Sequence, residues 1–214
     1  KGEYLVLPNP KVGCVIVKDG NIIGKGYHKR YGEKHAEVLA IEDARKKGHS
    51  FNGAIMYLSL EPCSHHGKQP PCTDKIIKSG IKRVVIATYD PNPLVNKNGV
   101  NILKKNGVDV AIGIMQNEAI ELNKEFFKFH IKKIPYVAIK VAQSIDAKIT
   151  DPKNQKFLFN HEEENIYVHM LRQKYHALMV SINTVLKDDP MLNVRFGKIY
   201  RQPIRIVLDS QLKI

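Results

Sequence analysis

Three residues far apart in the chain carry metal-ligand chemistry, and they limit what it can fold into. They are His35 in His35-Ala36-Glu37, Cys63 after Pro62, and Cys72 after Pro70-Pro71. A histidine and two thiolates suit Zn²⁺, which prefers nitrogen and sulfur donors in a tetrahedral shell. To meet on one ion, the chain must bring position 35 back to a pair nine positions apart. The local sequence suggests how. Ala36, Leu39, Ala40 and Ala44 repeat at helical spacing, so residues 35–47 read as a helix with His35 and Glu37 in its first turn. Ala54–Leu60 reads as a strand delivering Cys63 at its end. Pro70-Pro71 opens a helix over 72–79, closed by Gly80. Two helix starts and a strand end are therefore expected to converge, and helix N-termini favour thiolate over thiol.

Three protein ligands leave a fourth position for water, and zinc brings the pKa of that water toward neutrality. Glu37 is then placed to move protons instead of binding metal. This division of labour is the H-x-E…P-C signature of zinc nucleobase deaminases. The second cysteine comes later than in that pattern, after the loop Ser64-His65-His66-Gly67-Lys68-Gln69-Pro70-Pro71. Such an insertion at the mouth of a site changes the substrate, not the metal chemistry. Two other readings stay open on the residues alone. One is a non-catalytic binding module stabilised by a closed zinc site, with His65 or His66 as fourth ligand. The other is a nucleic-acid deaminase of the tRNA-adenosine type, which the net charge of +13 permits.

That charge is spread through helices and turns without basic blocks interleaved with aromatics, so no nucleic-acid partner is expected. A basic surface also steers phosphorylated small molecules. No apolar run reaches the roughly 18 residues that span a bilayer, so no membrane partner is expected. Three cysteines, two of them claimed by metal, make a poor disulfide framework and point to the cytoplasm. Cys14, in the apolar run 12–17, reads as an inert core residue.

Along the chain, strands are expected at Val12–Val17 and Ile22–Tyr27, joined by the hairpin signal Asp19-Gly20-Asn21. Further strands are expected at Arg83–Thr88 and Val108–Ile112, with a short helix at Asn101–Lys105 between them. A long helix is expected over 116–133. A domain boundary is placed at Ile134-Pro135, giving domains 1–134 and 135–214. The second is expected to hold a strand Tyr136–Ala142, a helix near 161–175, and strands Ala177–Ile182 and Ile204–Leu208.

Residues 9–114 resemble the deaminase domain of the bifunctional riboflavin-biosynthesis deaminase/reductase family. The likeness rests on Pro8-Asn9-Pro10-Lys11-Val12-Gly13, Gly26-Tyr27-His28, His35-Ala36-Glu37, Glu61-Pro62-Cys63, Gly67-Lys68-Gln69-Pro70-Pro71-Cys72 and Asp90-Pro91-Asn92-Pro93. The long loop between the cysteines separates this family from cytidine and tRNA-adenosine deaminases. Residues 135–214 resemble the start of the family's reductase domain. That likeness rests on Lys140–Asp146, Leu171-Arg172, Asn183–Leu192, Val194-Arg195 and Arg201–Ser210. The resemblance implies an α/β chain: a cytidine-deaminase-like α/β/α domain, then a partial dihydrofolate-reductase-like α/β domain. It departs at Ala147, where the family has Gly, and at Gln155 and Phe157, where Ser and Trp are usual.

The family's function implies hydrolytic deamination of a diaminopyrimidinone carrying a ribose phosphate, followed by NADPH-dependent reduction of the ribosyl to a ribityl chain. His35, Cys63 and Cys72 would hold one Zn²⁺ per chain, with Glu37 catalytic. Asn9, His28, Lys68, Asp90 and Asn92 would meet the deaminase substrate. In the second domain Gln155, Arg172, Leu192 and Arg195 would meet substrate, and Gln143, Phe157, Thr184, Asp188 and Ser210 would contact NADPH. The expected assembly is a homo-oligomer.

Overall fold

The computed structural model describes residues 2–149 and 162–214, so Gln155 and Phe157 lie outside the described residues. The chain divides into two compact units, Lys1–Tyr136 and Val137–Ile214.

The first unit is built on a five-stranded sheet, in the order β2-β1-β3-β4-β5. Its strands are β1 (Gly13–Lys18), β2 (Asn21–Tyr27), β3 (Ile55–Leu58), β4 (Arg83–Ile86) and β5 (Asp109–Ile112). The β1–β2 hairpin and the β1–β3 pair are antiparallel, whereas β3, β4 and β5 run parallel. Helix α2 (Cys72–Ser79) and helix α3 (Asn98–Lys105) supply the crossovers that parallel strands require. Strand alternation puts Cys14 and Ile16, Met56 and Leu58, and Val84 and Ile86 on one face. There they pack with Ala36, Ala40, Ile41 and Ala44 of helix α1 (Ala36–Lys46), Ile76 of α2 and Leu103 of α3.

Helix α1 lies unusually close to β2. A Cβ added at Gly26 would stand 2.2 Å from the Ala36 carbonyl oxygen, so only glycine fits there. This approach sets the height of the helix start that carries His35 and Glu37. The opposite sheet face, with Val15, Tyr57 and Val85, borders a hollow of about 790 Å³ shared with Ala119 and Leu122. It contains none of the three metal-ligand candidates.

Two further helices end the unit, α4 (Gln116–Leu122) and α5 (Lys124–Lys132). The sequence suggests one helix over 116–133, but Asn123 interrupts it. Its side-chain Oδ1 accepts from Lys11 N at 2.7 Å, and its Nδ2 donates to Lys11 O at 2.9 Å. These two bonds fix Asn123 as the hinge between the helices.

The second unit holds helix α6 (Glu162–Lys174), strand β6 (Ala177–Ser181), helix α7 (Ile182–Asp188) and strand β7 (Ile204–Leu208), with β6 and β7 parallel. Residue 182 was expected to end a strand and instead begins a helix, because Ser181 caps it: Ser181 Oγ accepts from Thr184 N. The strand expected at Tyr136–Ala142 does not form. That segment pairs with no strand among the described residues, and Val137 and Ile139 are largely exposed. No helix among the described residues is long and apolar enough to cross a membrane.

Candidate metal centre

The site lies at one end of the first unit's sheet. The carboxyl ends of β3 and β4 lead into Glu61-Pro62-Cys63 and Thr88-Tyr89-Asp90. Because β1 runs antiparallel to β3, its start and the preceding Asn9–Val12 lie at that same end, where Ser59 N donates to Gly13 O and His28 N to Val12 O. Ligand sites favour such carboxyl ends in α/β sheets. The α1 start completes the ring, with His35 as the residue before the first helical turn.

Here His35 Nδ1 stands 3.5 Å from Cys63 Sγ and 3.3 Å from Cys72 Sγ. The three donor atoms all lie within 4.8 Å of one another, and neither His65 nor His66 belongs to this group. Zinc bonds of about 2.0 Å to nitrogen and 2.3 Å to sulfur at a tetrahedral angle give N···S edges near 3.5 Å. The residues present therefore fit Zn²⁺ in both donor type and spacing. Their proton affinities agree. The Cys72 side chain, then His35 and the Cys72 N–H at 3.4 Å, pull Cys63 down to about 4, so it carries the thiolate. Its bond to Cys63, with burial, pushes Cys72 up, so one proton remains on the pair in the absence of a cation. A metal that takes both sulfurs displaces that proton. The Cys63 sulfur in turn raises His35, against the effect of burial.

Glu37 is buried, and among the described residues its Oε2 has no hydrogen-bond partner. Burial first, then the Cys63 sulfur, raises its carboxyl above the usual range. An orphaned buried carboxylate oxygen at the rim of three metal donors is a proton acceptor awaiting a partner.

A cavity of about 290 Å³ opens onto this group. Asn9, His28, Glu37, Lys68, Asp90 and Asn92, which the sequence singles out, all line it. His28 is buried and orders the pocket wall. Its Nδ1 faces the Lys34 carbonyl at 3.3 Å, which can only accept, so Nε2 is left to accept from Asn9 Nδ2 at 3.1 Å. The Asn9 carbonyl oxygen is thereby freed as an acceptor. Burial lowers the pKa of His28 and keeps it neutral. Across the pocket, burial raises Asp90 to about 6, and its Oδ1 accepts from Asn92 N at 2.8 Å.

The inter-cysteine loop folds back over the entrance. Gln69 Nε2 donates to Gly32 O at 2.9 Å, and Lys68 Nζ stands 4.1 Å from the centre of the Tyr31 ring. Tyr31, Glu61 and Phe126 line the cavity too, and sequence reasoning missed all three. Tyr31-Gly32 lies just before the metal histidine, and that proximity was the available signal. Nothing local marks Phe126 as a pocket residue.

In the second unit, Arg172 and Arg195 are brought together around His169. Arg172 Nη1 donates to Asn193 O at 2.7 Å, and Arg195 N donates to His169 Nδ1 at 3.0 Å. Leu192 is buried nearby in sequence, with a left-handed backbone. Thr184 and Ser210 follow the carboxyl ends of the parallel pair β6 and β7, with Asp188 at the end of α7. Ligand sites favour such carboxyl ends of parallel strands. Gln143 is exposed on a separate segment beside the Ser144–Lys148 turn.

Residues 2–88 match the cytidine and deoxycytidylate deaminase zinc-binding region, and residues 135–214 match the RibD C-terminal domain. The riboflavin biosynthesis protein RibD of Aquifex aeolicus is 46% identical over 207 residues, covering 97% of this chain and 57% of that protein. The Escherichia coli RibD is 43% identical over 226 residues, covering all of this chain and 61% of that protein. A solved diaminohydroxyphosphoribosylaminopyrimidine deaminase/5-amino-6-(5-phosphoribosylamino)uracil reductase from Thermotoga maritima superposes with a TM-score of 0.91 at 46% identity. It covers 99% of this chain and 60% of that one. The chain thus spans about three fifths of the length of these relatives.

Proposed function

The chain belongs to the bifunctional riboflavin-biosynthesis deaminase/reductase family, with a cytidine-deaminase-like unit followed by dihydrofolate-reductase-like sequence, and on that premise we propose that its first unit is a zinc-dependent aminohydrolase. The observation that carries the reading is the His35–Cys63–Cys72 donor group beside the unpartnered buried oxygen of Glu37. The substrate proposed is a diaminopyrimidinone bearing a ribose phosphate, which loses an exocyclic amine as ammonia and gains a carbonyl.

His35, Cys63 and Cys72 would hold one zinc. When bound, zinc makes hydroxide available near neutral pH. Glu37 takes one proton at its free oxygen from the attacking water and passes it to the ring nitrogen. It then carries the second, from the hydroxyl on the tetrahedral carbon, to the amine, which leaves as ammonia as the C=O forms. Asn9, fixed by His28, offers its carbonyl oxygen to a ring N–H or amine. Asp90 and Asn92 face the ring from the other side. Lys68, held over Tyr31 at the entrance, would meet the ribose phosphate.

For the second unit we propose the reductase half of the same function. Arg172 and Arg195 would pair with the substrate phosphate, for which guanidinium is well shaped, and Leu192 and Gln155 would complete that side. Thr184, Asp188, Ser210, Gln143 and Phe157 would hold NADPH, which supplies hydride. Action in the cytoplasm as a homo-oligomer on a small phosphorylated pyrimidine, with neither nucleic acid nor membrane as partner, belongs to the same proposal. The three free cysteines are consistent with a reducing compartment.

Zinc content and ammonia release test the first half together. Cys63→Ser is expected to lose both. Glu37→Gln is expected to keep about one zinc per chain yet lose deamination by at least about 10²-fold. Full zinc occupancy in Cys63→Ser, or near wild-type turnover in Glu37→Gln, contradicts the assignment.

A further inference from the structure

Glu61 is only 3% exposed, and every hydrogen-bond partner of its carboxylate among the described residues is a backbone amide. Oε2 accepts from Asp90 N at 3.2 Å and from Lys97 N at 3.0 Å, while Oε1 accepts from Val100 N at 3.1 Å. Its own N–H donates to Thr88 O at 3.0 Å. One carboxylate thus grips both ends of the segment 90–100.

The grip has two physical causes. Helix α3 has no side-chain cap of its own, and its first-turn amides need an acceptor. Glu61 supplies it from the loop that follows β3, at a helix start where the dipole also favours a negative charge. Second, the α3 start comes close enough only because residue 99 is glycine. A Cβ there would lie 2.2 Å from Pro62 O and 3.3 Å from Glu61 Oε1.

The gripped segment carries Asp90 and Asn92 into the deaminase cavity. Within it, Asp90 Oδ1 accepts from Asn92 N and Asn92 Oδ1 accepts from Leu94 N, so its shape follows from its two ends. Glu61 also sits two residues before Cys63. The wall that faces the substrate ring and the donor that faces the metal are therefore tied to one short stretch of chain.

We infer that Glu61 is a positioning residue for substrate recognition, whose carboxylate sets the 90–100 loop so that Asp90 and Asn92 present their side chains to the bound ring. The inference rests on the deaminase reading of this site.

The test uses Glu61→Gln, Asn92→Ala and the double variant in the zinc-loaded chain. Glutamine keeps the volume but replaces one acceptor oxygen with a donor, so at least one of the three amides loses its partner. Expected are unchanged zinc content, a KM for the diaminopyrimidinone ribose phosphate raised at least about tenfold, and kcat within about threefold of wild type. Asn92→Ala should then add less in the Glu61→Gln background than alone, since both act through one loop. Loss of zinc in Glu61→Gln, an unchanged KM, or strictly additive effects would each overturn the proposal. A second measurement needs neither variant nor substrate. In wild type, the amides of Asp90, Lys97 and Val100 should exchange slowly with solvent, and fast exchange at these three overturns the grip even if Glu61→Gln does not fold. If wild type releases no ammonia from the substrate, the deaminase reading fails, and amide exchange alone then judges the loop.

Discussion

Ala147 has φ of +62°, in the left-handed region where a Cβ crowds the following carbonyl. It closes a small turn: Ala147 N donates to Ser144 O, Lys148 N to Ser144 Oγ, and Ser144 N to Lys148 O. The sequence resemblance places glycine at this position, and the backbone gives the reason. The turn keeps a shape suited to glycine while carrying alanine. Ala147→Gly is therefore expected to stabilise the turn by about 1 kcal/mol, since the strain removed exceeds the chain entropy that glycine adds. Amide exchange at Ser144 and Lys148 measures it, and faster exchange in the variant would contradict a left-handed residue 147. At the metal centre, single residues were readable for a different reason. His35, Cys63 and Cys72 are few in kind and fixed in spacing, so their chemistry shows without a fold. Glu61 was visible as part of a motif but, like Tyr31, was given no role, because carboxylates and tyrosines are common and only the fold shows what they hold.

Among the elements, those with local punctuation were legible. Helix α2 runs over Cys72–Ser79, as Pro70-Pro71 and Gly80 suggest, and Gly80 takes φ of +87°. The β1–β2 hairpin follows its Asp-Gly-Asn signal. The elements that were misread depend on distant partners. Helix α3 starts at Asn98, three residues before the apolar pattern suggests, because its cap is Glu61. The α4–α5 break at Asn123 depends on Lys11, 112 positions away. By contrast, α7 had a local signal in Ser181-Ile182-Asn183-Thr184, a serine cap before a helical turn, which the neighbouring strand pattern concealed. The Asn123 hinge leads to an expectation. Asn123 is 2% exposed and satisfies both the donor and the acceptor of Lys11, two residues from Asn9. Asn123→Ala leaves both backbone groups unpaired, which costs about 1–3 kcal/mol for each buried group left unsatisfied. It should lower the urea midpoint of the zinc-loaded chain and raise KM through Asn9. Asn123→Asp, which can still accept from Lys11 N but cannot donate to Lys11 O, should fall between the two. Equal stability in all three proteins would show that the amide does not set the hinge.

On the scale of the whole chain, the two units rest on different chemistry and should respond to different treatments. The first is organised around a donor group whose two sulfurs share one proton until a cation takes both, so chelation should loosen its peptides over residues 28–80. The second is organised around a neutral histidine. His169 is 2% exposed, its Nδ1 accepts from Arg195 N, and Arg172 Nη1 stands 3.3 Å from its Nε2. Burial first, then Arg172 and Arg195, lower its pKa to about 4. The sign follows directly. Between the ordinary histidine value near 6.5 and about 4, the unfolded chain binds a proton that the folded unit refuses. Stability from this group is complete above the upper value and is lost as pH falls through the window. Protonation would also turn Nδ1 from acceptor to donor against the Arg195 amide, freeing the Arg195 segment from α6, which carries His169 and Arg172. Exchange protection in peptides over residues 162–202 should therefore fall between pH 6.5 and 4, after correction for intrinsic rates, with chelator making no difference there. His169→Gln can still accept from the Arg195 amide but does not titrate. It should flatten the pH dependence while leaving the neutral-pH protection largely in place. Equal pH slopes in the variant and wild type would show that another group governs acid loosening and that His169 is only a packed ring.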